Sequence, residues 1–317
     1  FWTWDTEEVL ALIEWMRRYN ADPNNRHKRK LHFYGYDMQY PPVAIAELVA
    51  YARRVDPKWA VRLDARSGLL RNQLIYEPYM ALKPDQRRAL YDTIVQAKAQ
   101  LVANRQRYAQ ITGTRAWTYA HLHAAILGQA LDVIRGDQVD YQVRDRAMAD
   151  NLRWLLDTQP EGTKIVSWAH NSHVSHTSSG QVRPMGFFLR EALGDDHVNF
   201  GFAFNEGSFQ ARDWTQGYEN PGHLAAHTMG PAPAGNVGAE LARVGFPIFV
   251  LDLRGPPRGV VATWLGSSHP MRVVGSVFTN SQHMTSDTVL TEHFDGLIFV
   301  DRMTRARPNP KIERGTR

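Results

Sequence analysis

The chain has no cysteine among its 317 residues. That excludes disulfides, thiolate metal sites and every cysteine nucleophile, although it fixes no compartment. No window approaches the ~18 consecutive apolar residues that a membrane-spanning helix needs. The opening stretch FWTWDTEEVLALIEWM lacks the basic flank and short apolar core of a signal peptide. A cytoplasmic location is the expectation. Reaction motifs are missing as well: there is no G-x-S-x-G elbow, no G-x-x-x-x-G-K-[ST] phosphate loop, no G-x-G-x-x-G after a strand and no H-E-x-x-H. Serine acyl-enzyme chemistry of the familiar kind, nucleotide hydrolysis and the commonest zinc-protease arrangement therefore lose weight. Excess charge is also small, with 37 Lys and Arg against 32 Asp and Glu giving +5. Basic residues are scattered apart from RHKRK at 26–30, which reads as a solvated loop, so no nucleic-acid partner is expected.

What the chain does have is apolar and aromatic material: 43% hydrophobic residues with nine Trp, thirteen Phe and twelve Tyr. Such a composition supports a sizeable ordered core. Val9, Leu12, Ile13 and Met16 recur at helical spacing, and Asp5 followed by Glu8 reads as an N-cap, so 6–19 is expected to be a helix. LHFYGYDM (31–38) reads as a short strand delivering Asp37 at its end. Helices are expected at 42–55, 84–110, 115–135 and 140–157, and the last three form a block without strand signals. KIVSWA (164–169) reads as a strand, 183–193 as a helix, and 198–207, 247–253, 259–264, 271–278 and 295–300 as strands. The stretch 218–236, rich in Gly, Pro and Ala, reads as a surface excursion. This alternation predicts an α/β protein, a three-layer body around a central, mainly parallel sheet, with a helical subdomain. The expected division is 1–80 and 159–317 for the body and 81–158 for the helical part.

The chemistry concentrates at IVSWAHNSHVSH (165–176), where an apolar run ends in His170, His173 and His176. In a helical turn, positions three apart face one way; in an extended chain they face opposite sides. Three readings stand on spacing alone: acid/base or substrate-binding imidazoles, a metal site, or a polar structural loop. No carboxylate lies inside the motif to orient a ring. Asn171 is placed to orient a ring or a substrate carbonyl. Arg144, in the first turn of the 140–157 helix, is shaped to hold a carboxylate, with a solvent salt bridge as the rival reading. Asp37 is either an active-site acid at a strand tip or a turn residue before Pro41. His121 and His123 are two apart, share no helix face and read as ordinary helix residues.

Taken together, FWTWDTEEVLALIEWMRRYN (1–20), FYGYDM (33–38), VRDRAMADNLRWL (143–155), KIVSWAHNSHV (164–174), MGFFLREALGDDHVNFGFAFNEGSF (185–209) and FDGLIFVDRMTRARP (294–308) resemble the erythromycin esterase family, in the family's order and across nearly the whole chain. The resemblance implies a hydrolase with an α/β body and a helical subdomain, in which histidine-assisted water opens an ester or macrolide lactone. It implies His170, His173 and Arg144 as catalytic residues and Asn171, Asp37, Asp145 and Glu206 as substrate-binding ones. The implied partner is a small-molecule ester or macrolide-like substrate. It implies no certain cofactor, and a divalent metal stays open. The family's G-E-x-x-H-G segment, which carries its general base, has no counterpart in 1–317. The chain is thus expected to hold half of the constellation, as a piece of a longer protein. Two alternatives accompany this reading: a non-catalytic ligand-binding or envelope-polymer-related protein on the same scaffold, and a metal-dependent hydrolase.

Overall fold

The computed structural model describes residues 3–72, 76–134, 140–177, 182–215, 223–255, 259–280 and 284–310. They form two units, one built from Phe1–Gly35 and Val166–Arg317 and the other from Tyr36–Ile165.

The first unit opens with α1 (Glu7–Ala21). Its N-cap is Thr6, whose hydroxyl accepts from Val9 N at 3.4 Å, and not the expected Asp5. Asp5 is engaged elsewhere, by the side chain and backbone N–H of Asn309. The acidic first turn binds Arg307, whose Nε lies 3.0 Å from Glu7 and 3.1 Å from Glu8. Anions there also complement the positive end of the helix.

The second unit is helical: α2 (Pro41–Val55), α3 (Pro57–Arg66), α4 (Tyr76–Met80), α5 (Pro84–Ala103), α6 (Arg105–Thr112), α7 (Thr114–Val133) and α8 (Tyr141–Asp157). Proline opens α2, α3 and α5, where its missing N–H costs nothing and its fixed φ suits the first turn. Asp56 and Asp140 cap α3 and α8 by accepting backbone N–H groups. The helix expected over 84–110 is two helices with a break at Asn104, and Gly113, at φ 86°, separates the second from α7. Ile45, Leu48, Leu101, Tyr108, Leu127 and Leu131 lie in one fully buried core. Trp59 stacks flat on Tyr108 with ring centroids 6.0 Å apart, and the Trp117 indole donates to Leu101 O at 2.9 Å. The division falls at Tyr36 and Ile165, not at 80 and 158, because α2 packs on α7 and α3 on α5, which draws residues 36–80 into the helical core.

The first unit resumes with α9 (Asn171–Val174) and α10 (Met185–Leu193). There follow β1 (Phe200–Asp213), β2 (Leu224–Met229), α11 (Val237–Ala242), β3 (Ile248–Asp252), α12 (Gly259–Leu265), β4 (Ser268–Arg272), β5 (Val277–Phe278), β6 (Thr285–Val289), α13 (Leu290–His293) and β7 (Gly296–Met303). The main sheet runs β2-β1-β7-β3, with β5 also on β1, while β4 and β6 pair separately. The protein is α/β, with a mixed sheet where a mainly parallel one was expected: β1 is parallel to β7 and β5, but β2 and β3 add antiparallel edges.

Several expected strands differ. Residues 31–38 and 164–169 form no regular element and carry no ladder among the described residues. The stretch 259–264 is the helix α12; Val260 is 86% exposed, so its β-branched run has no sheet face to fill. The strand expected at 271–278 is split between β4 and β5. The expected surface excursion at 218–236 contains β2, paired with β1 from Gly207↔Met229 to Arg212↔Leu224; residues 218–222 lie outside the described residues, as does 311–317 of the basic tail.

Alternation sets the two faces of the main sheet. Ala203, Leu297 and Phe299 pack against Val237, Leu241, Leu290 and Phe294 from the neighbouring helices. The opposite face carries Phe202 and Val250, 46% and 61% exposed, on either side of Ile298 in the register.

Candidate functional site

In the sheet unit the histidine motif folds into the short α9. His170 is its N-cap: Nδ1 accepts from Ser172 N at 3.2 Å and contacts Ser172 Oγ at 2.8 Å. The other ring nitrogen, Nε2, lies 3.0 Å from the carbonyl of Val274. A carbonyl only accepts, so Nε2 carries the proton and the ring is a neutral imidazole with both nitrogens engaged. Burial lowers the His170 pKa; the Val274 carbonyl opposes this, and the neighbouring His173 adds to it. His173 is half-buried in the same turn, its N–H donating to His170 O at 2.8 Å. The three-residue spacing thus does lie in a helical turn.

Asn171 is committed to backbone. Its Nδ2 donates to Phe202 O at 2.7 Å and its Oδ1 accepts from Phe202 N at 2.9 Å. A primary amide offers the same donor and acceptor as a peptide, so Asn171 acts on β1 as one residue of a neighbouring strand would. Glu206, also on β1, pairs with Arg302 of β7 at 2.5 Å. Burial lowers the pKa of Arg272, and the Glu206 charge opposes that. Arg272 lies beneath Phe204, with its guanidinium 5.5 Å from the ring centroid, and donates to Asn205 O.

His176, the last histidine of the motif, lies in a half-buried polar cluster. Its Nε2 is 3.5 Å from Asp295 Oδ2, and its ring is 5.5 Å from that of His197. Asp295 also accepts from Arg190, and His293 Nδ1 lies 2.9 Å from Ser175 Oγ. Burial pushes His197 down to about 4, helped by His176 and Arg190, and lowers His176 and His293 as well.

In the helical unit Arg144 and Asp37 form a two-point ion pair, Nη2 to Oδ2 at 2.7 Å and Nε to Oδ1 at 3.3 Å. The planar fork of arginine fits a carboxylate in this way. The pair is sheltered, with side-chain exposures of 16% for Arg144 and 35% for Asp37. Asp145 is buried beside it in α8. Burial, with the Asp37 and Asp145 charges and against that of Arg144, pushes the Tyr36 phenol up to about 12. Asn151, further along α8, donates to Tyr36 O at 2.8 Å and exchanges hydrogen bonds with Gln129 at 2.9 and 3.0 Å. His121 stacks on Trp117, and burial lowers the pKa of both His121 and His123.

The structure thus groups the expected residues by unit, with His170, Asn171, His173 and Glu206 in one and Asp37, Arg144 and Asp145 in the other. Sequence reasoning missed Ser172, Val274, Asn199 and Asp295, which touch or anchor the histidine turn; Asn199 and Asp295 stand at the ends of recognisable strands, the one signal that was there. Among the described residues no three His, Asp or Glu side chains converge to hold a metal ion. No described helix is long and apolar enough to cross a membrane. An open hollow of ≈ 610 Å³ on α5 to α7, lined by Val102, Arg105, Gln106 and Thr114 among others, holds none of the candidate residues.

Known proteins share this arrangement of elements. The family model described as Erythromycin esterase matches residues 1–303. "Putative hydrolase YbfO" of Bacillus subtilis is 21% identical over 342 aligned residues, covering 95% of this chain and 69% of that protein. Erythromycin esterase type II of Escherichia coli is 34% identical over 77 residues, 23% of this chain and 18% of that protein. Among solved structures, a succinoglycan biosynthesis protein matches with a TM-score of 0.80 at 22% identity, over 96% of this chain and 73% of its own. A mutant of the erythromycin esterase EreC in its open conformation matches with a TM-score of 0.68 at 17% identity, over 95% and 74%. Those likenesses carry the fold.

Proposed function

The chain belongs to the erythromycin esterase family, and from that premise we propose that it is a hydrolase of carboxylic esters, with macrolide-type lactones as one substrate class. The observation that carries the site assignment is the division of labour in α9. His170 has both ring nitrogens engaged, by Ser172 and by Val274 O, so its part is to hold the turn as a neutral cap. Of the two histidines, His173 is the one we assign to proton transfer, beside the general base that the family resemblance places in the G-E-x-x-H-G segment. A water oxygen adds to the ester carbonyl carbon, and His173 takes the proton that water releases. As the tetrahedral intermediate collapses and the carbon–oxygen bond breaks, the imidazolium returns the proton to the leaving alkoxide. Asn171 fixes the turn on β1. In the helical unit Arg144, held flat by Asp37, is a fixed positive charge shaped for a carboxylate.

The test is turnover of an ester and 14-membered lactone panel. His173→Ala is expected to lose about 100-fold or more in kcat, the size of one general acid/base contribution. Unchanged turnover with His173→Ala overturns the assignment. A second reading, a ligand-binding protein on this scaffold, draws on the same engagement of His170: a histidine so fully hydrogen-bonded also suits a purely structural turn. Calorimetric binding of a polyol or glycan, with no ester turned over, favours it.

A further inference from the structure

The turn that bears both histidines is only four residues long, Asn171–Val174. So short a helix has no cooperative stability of its own, and its last carbonyls have no partner inside it. Its shape must be imposed from outside, and the described contacts show how. Asn199 is 4% exposed, and its Nδ2 donates to Val174 O at 2.5 Å and to His293 O at 3.0 Å. Its Oδ1 accepts from Asp295 N at 2.8 Å, while Asp295 Oδ2 accepts from Asn199 N at 2.9 Å. The two residues thus clasp each other, side chain to backbone in both directions. Arg190 of α10 holds the remaining carboxylate oxygen. Gly186 also lets α10 approach so closely that a Cβ there would sit 2.0 Å from Val174 O.

We infer that Asn199 and Asp295 are positioning residues, which fix the carbonyl end of α9 and through it the ring of His173. The role of His173 in turnover rests on the function proposed above; the placement of its ring does not. No other side chain in the described contacts donates to Val174 O, so Asn199 is the link between the clasp and the turn. Asp295 acts one step further out, by holding the Asn199 backbone and by tying it to Arg190. A network that only stabilised the fold would leave the environment of His173 unchanged in a variant that still folds.

Asn199→Asp tests this in the full chain. The substitution keeps the acceptor for Asp295 N–H but replaces the amide donor with a carboxylate oxygen facing two carbonyls and the Asp295 carboxylate. In protein labelled with ¹⁵N-histidine, the ring resonances of His173 are expected to move. In the hydrolysis assay kcat is expected to fall about 100-fold with KM changed less, the cost of a misplaced reacting group. Relative to the wild type at the same pH, part of the loss should return under acid conditions, where the introduced carboxyl is protonated and regains a donor. If Asn199→Asp does not fold, Asp295→Asn decides: it keeps the shape and weakens the hold of Arg190, and the His173 resonances should again move. Folded variants with wild-type His173 resonances overturn the inference. Shifted resonances in a protein that hydrolyses no ester support the positioning role and count against the function alone.

Discussion

The two units treat their apolar residues in opposite ways. In the helical unit the apolar stripes of α2, α5 and α7 close on one another, and Leu48, Leu101, Leu127 and Leu131 are all fully buried. In the sheet unit the packing is uneven: the β1-β2 end of the main sheet buries Phe204, Phe209 and Met229, whereas Ile248 and Val250 of β3 are 66% and 61% exposed, and α1 buries no residue at all. Alternation in a strand reports which side chains share a face, whereas closure of helical stripes on each other reports burial itself. An apolar periodicity is therefore a stronger statement about the core in the helical unit than in the sheet unit.

That contrast breaks or holds by substitution. Leu127→Ala, in the middle of the helical core, is expected to cost about 2–5 kcal/mol through lost contacts and a residual cavity. Val250→Ala on the open face should change stability by no more than about 0.5 kcal/mol. Urea unfolding of the two variants gives the comparison, and equal losses would erase it. Within the sheet unit the tight place is local. Gly186→Ala sets a methyl against Val174 O and is expected to cost about 1–3 kcal/mol, read by hydrogen exchange in 171–177 against exchange in α7. A smaller effect, on the order of 1 kcal/mol, is expected for Asp37→Asn, which leaves the sheltered Arg144 with a weaker acceptor. Thermal unfolding measures it.

Helix positions were legible because the 3.6-residue period and the proline starts agree with each other. Strands were less so. LHFYGYDM and KIVSWA have strand composition but no ladder among the described residues, while LAAHTM and TSDTV, which do pair, are too mixed in polarity to announce themselves. GVVATWL looks like a strand because Val and Thr dominate it, yet folds as α12. At the site, the spacing of His170 and His173 carried the signal. Their partners did not, since Phe202 lies 31 residues from Asn171 and Val274 lies 104 residues from His170. Asn199 and Asp295 are 96 residues apart, and nothing local marks either as half of a clasp.

A gentler probe of the sheet unit is acid. His197 is held down to about 4 by burial, with His176, Arg190 and Asp295 around it. Since an unfolded histidine titrates near ~6.5, the unfolded chain binds this proton more readily. The stabilising contribution is complete above that value and is lost as pH falls from there towards about 4. Replacing His197 with Gln should flatten the decline between those limits in a pH series of unfolding curves; an unchanged slope would show that the ring is not buried as described.

The most direct measurement is the ¹⁵N ring spectrum of His170 and His173 followed through pH, with and without a non-hydrolysable ester mimic. His170 should remain the neutral Nε2–H tautomer below the pH at which a free imidazole protonates, and be indifferent to the mimic, while the His173 ring responds to it. A His170 ring that titrates like a free histidine, or a His173 ring blind to the mimic, would contradict the division of labour between them.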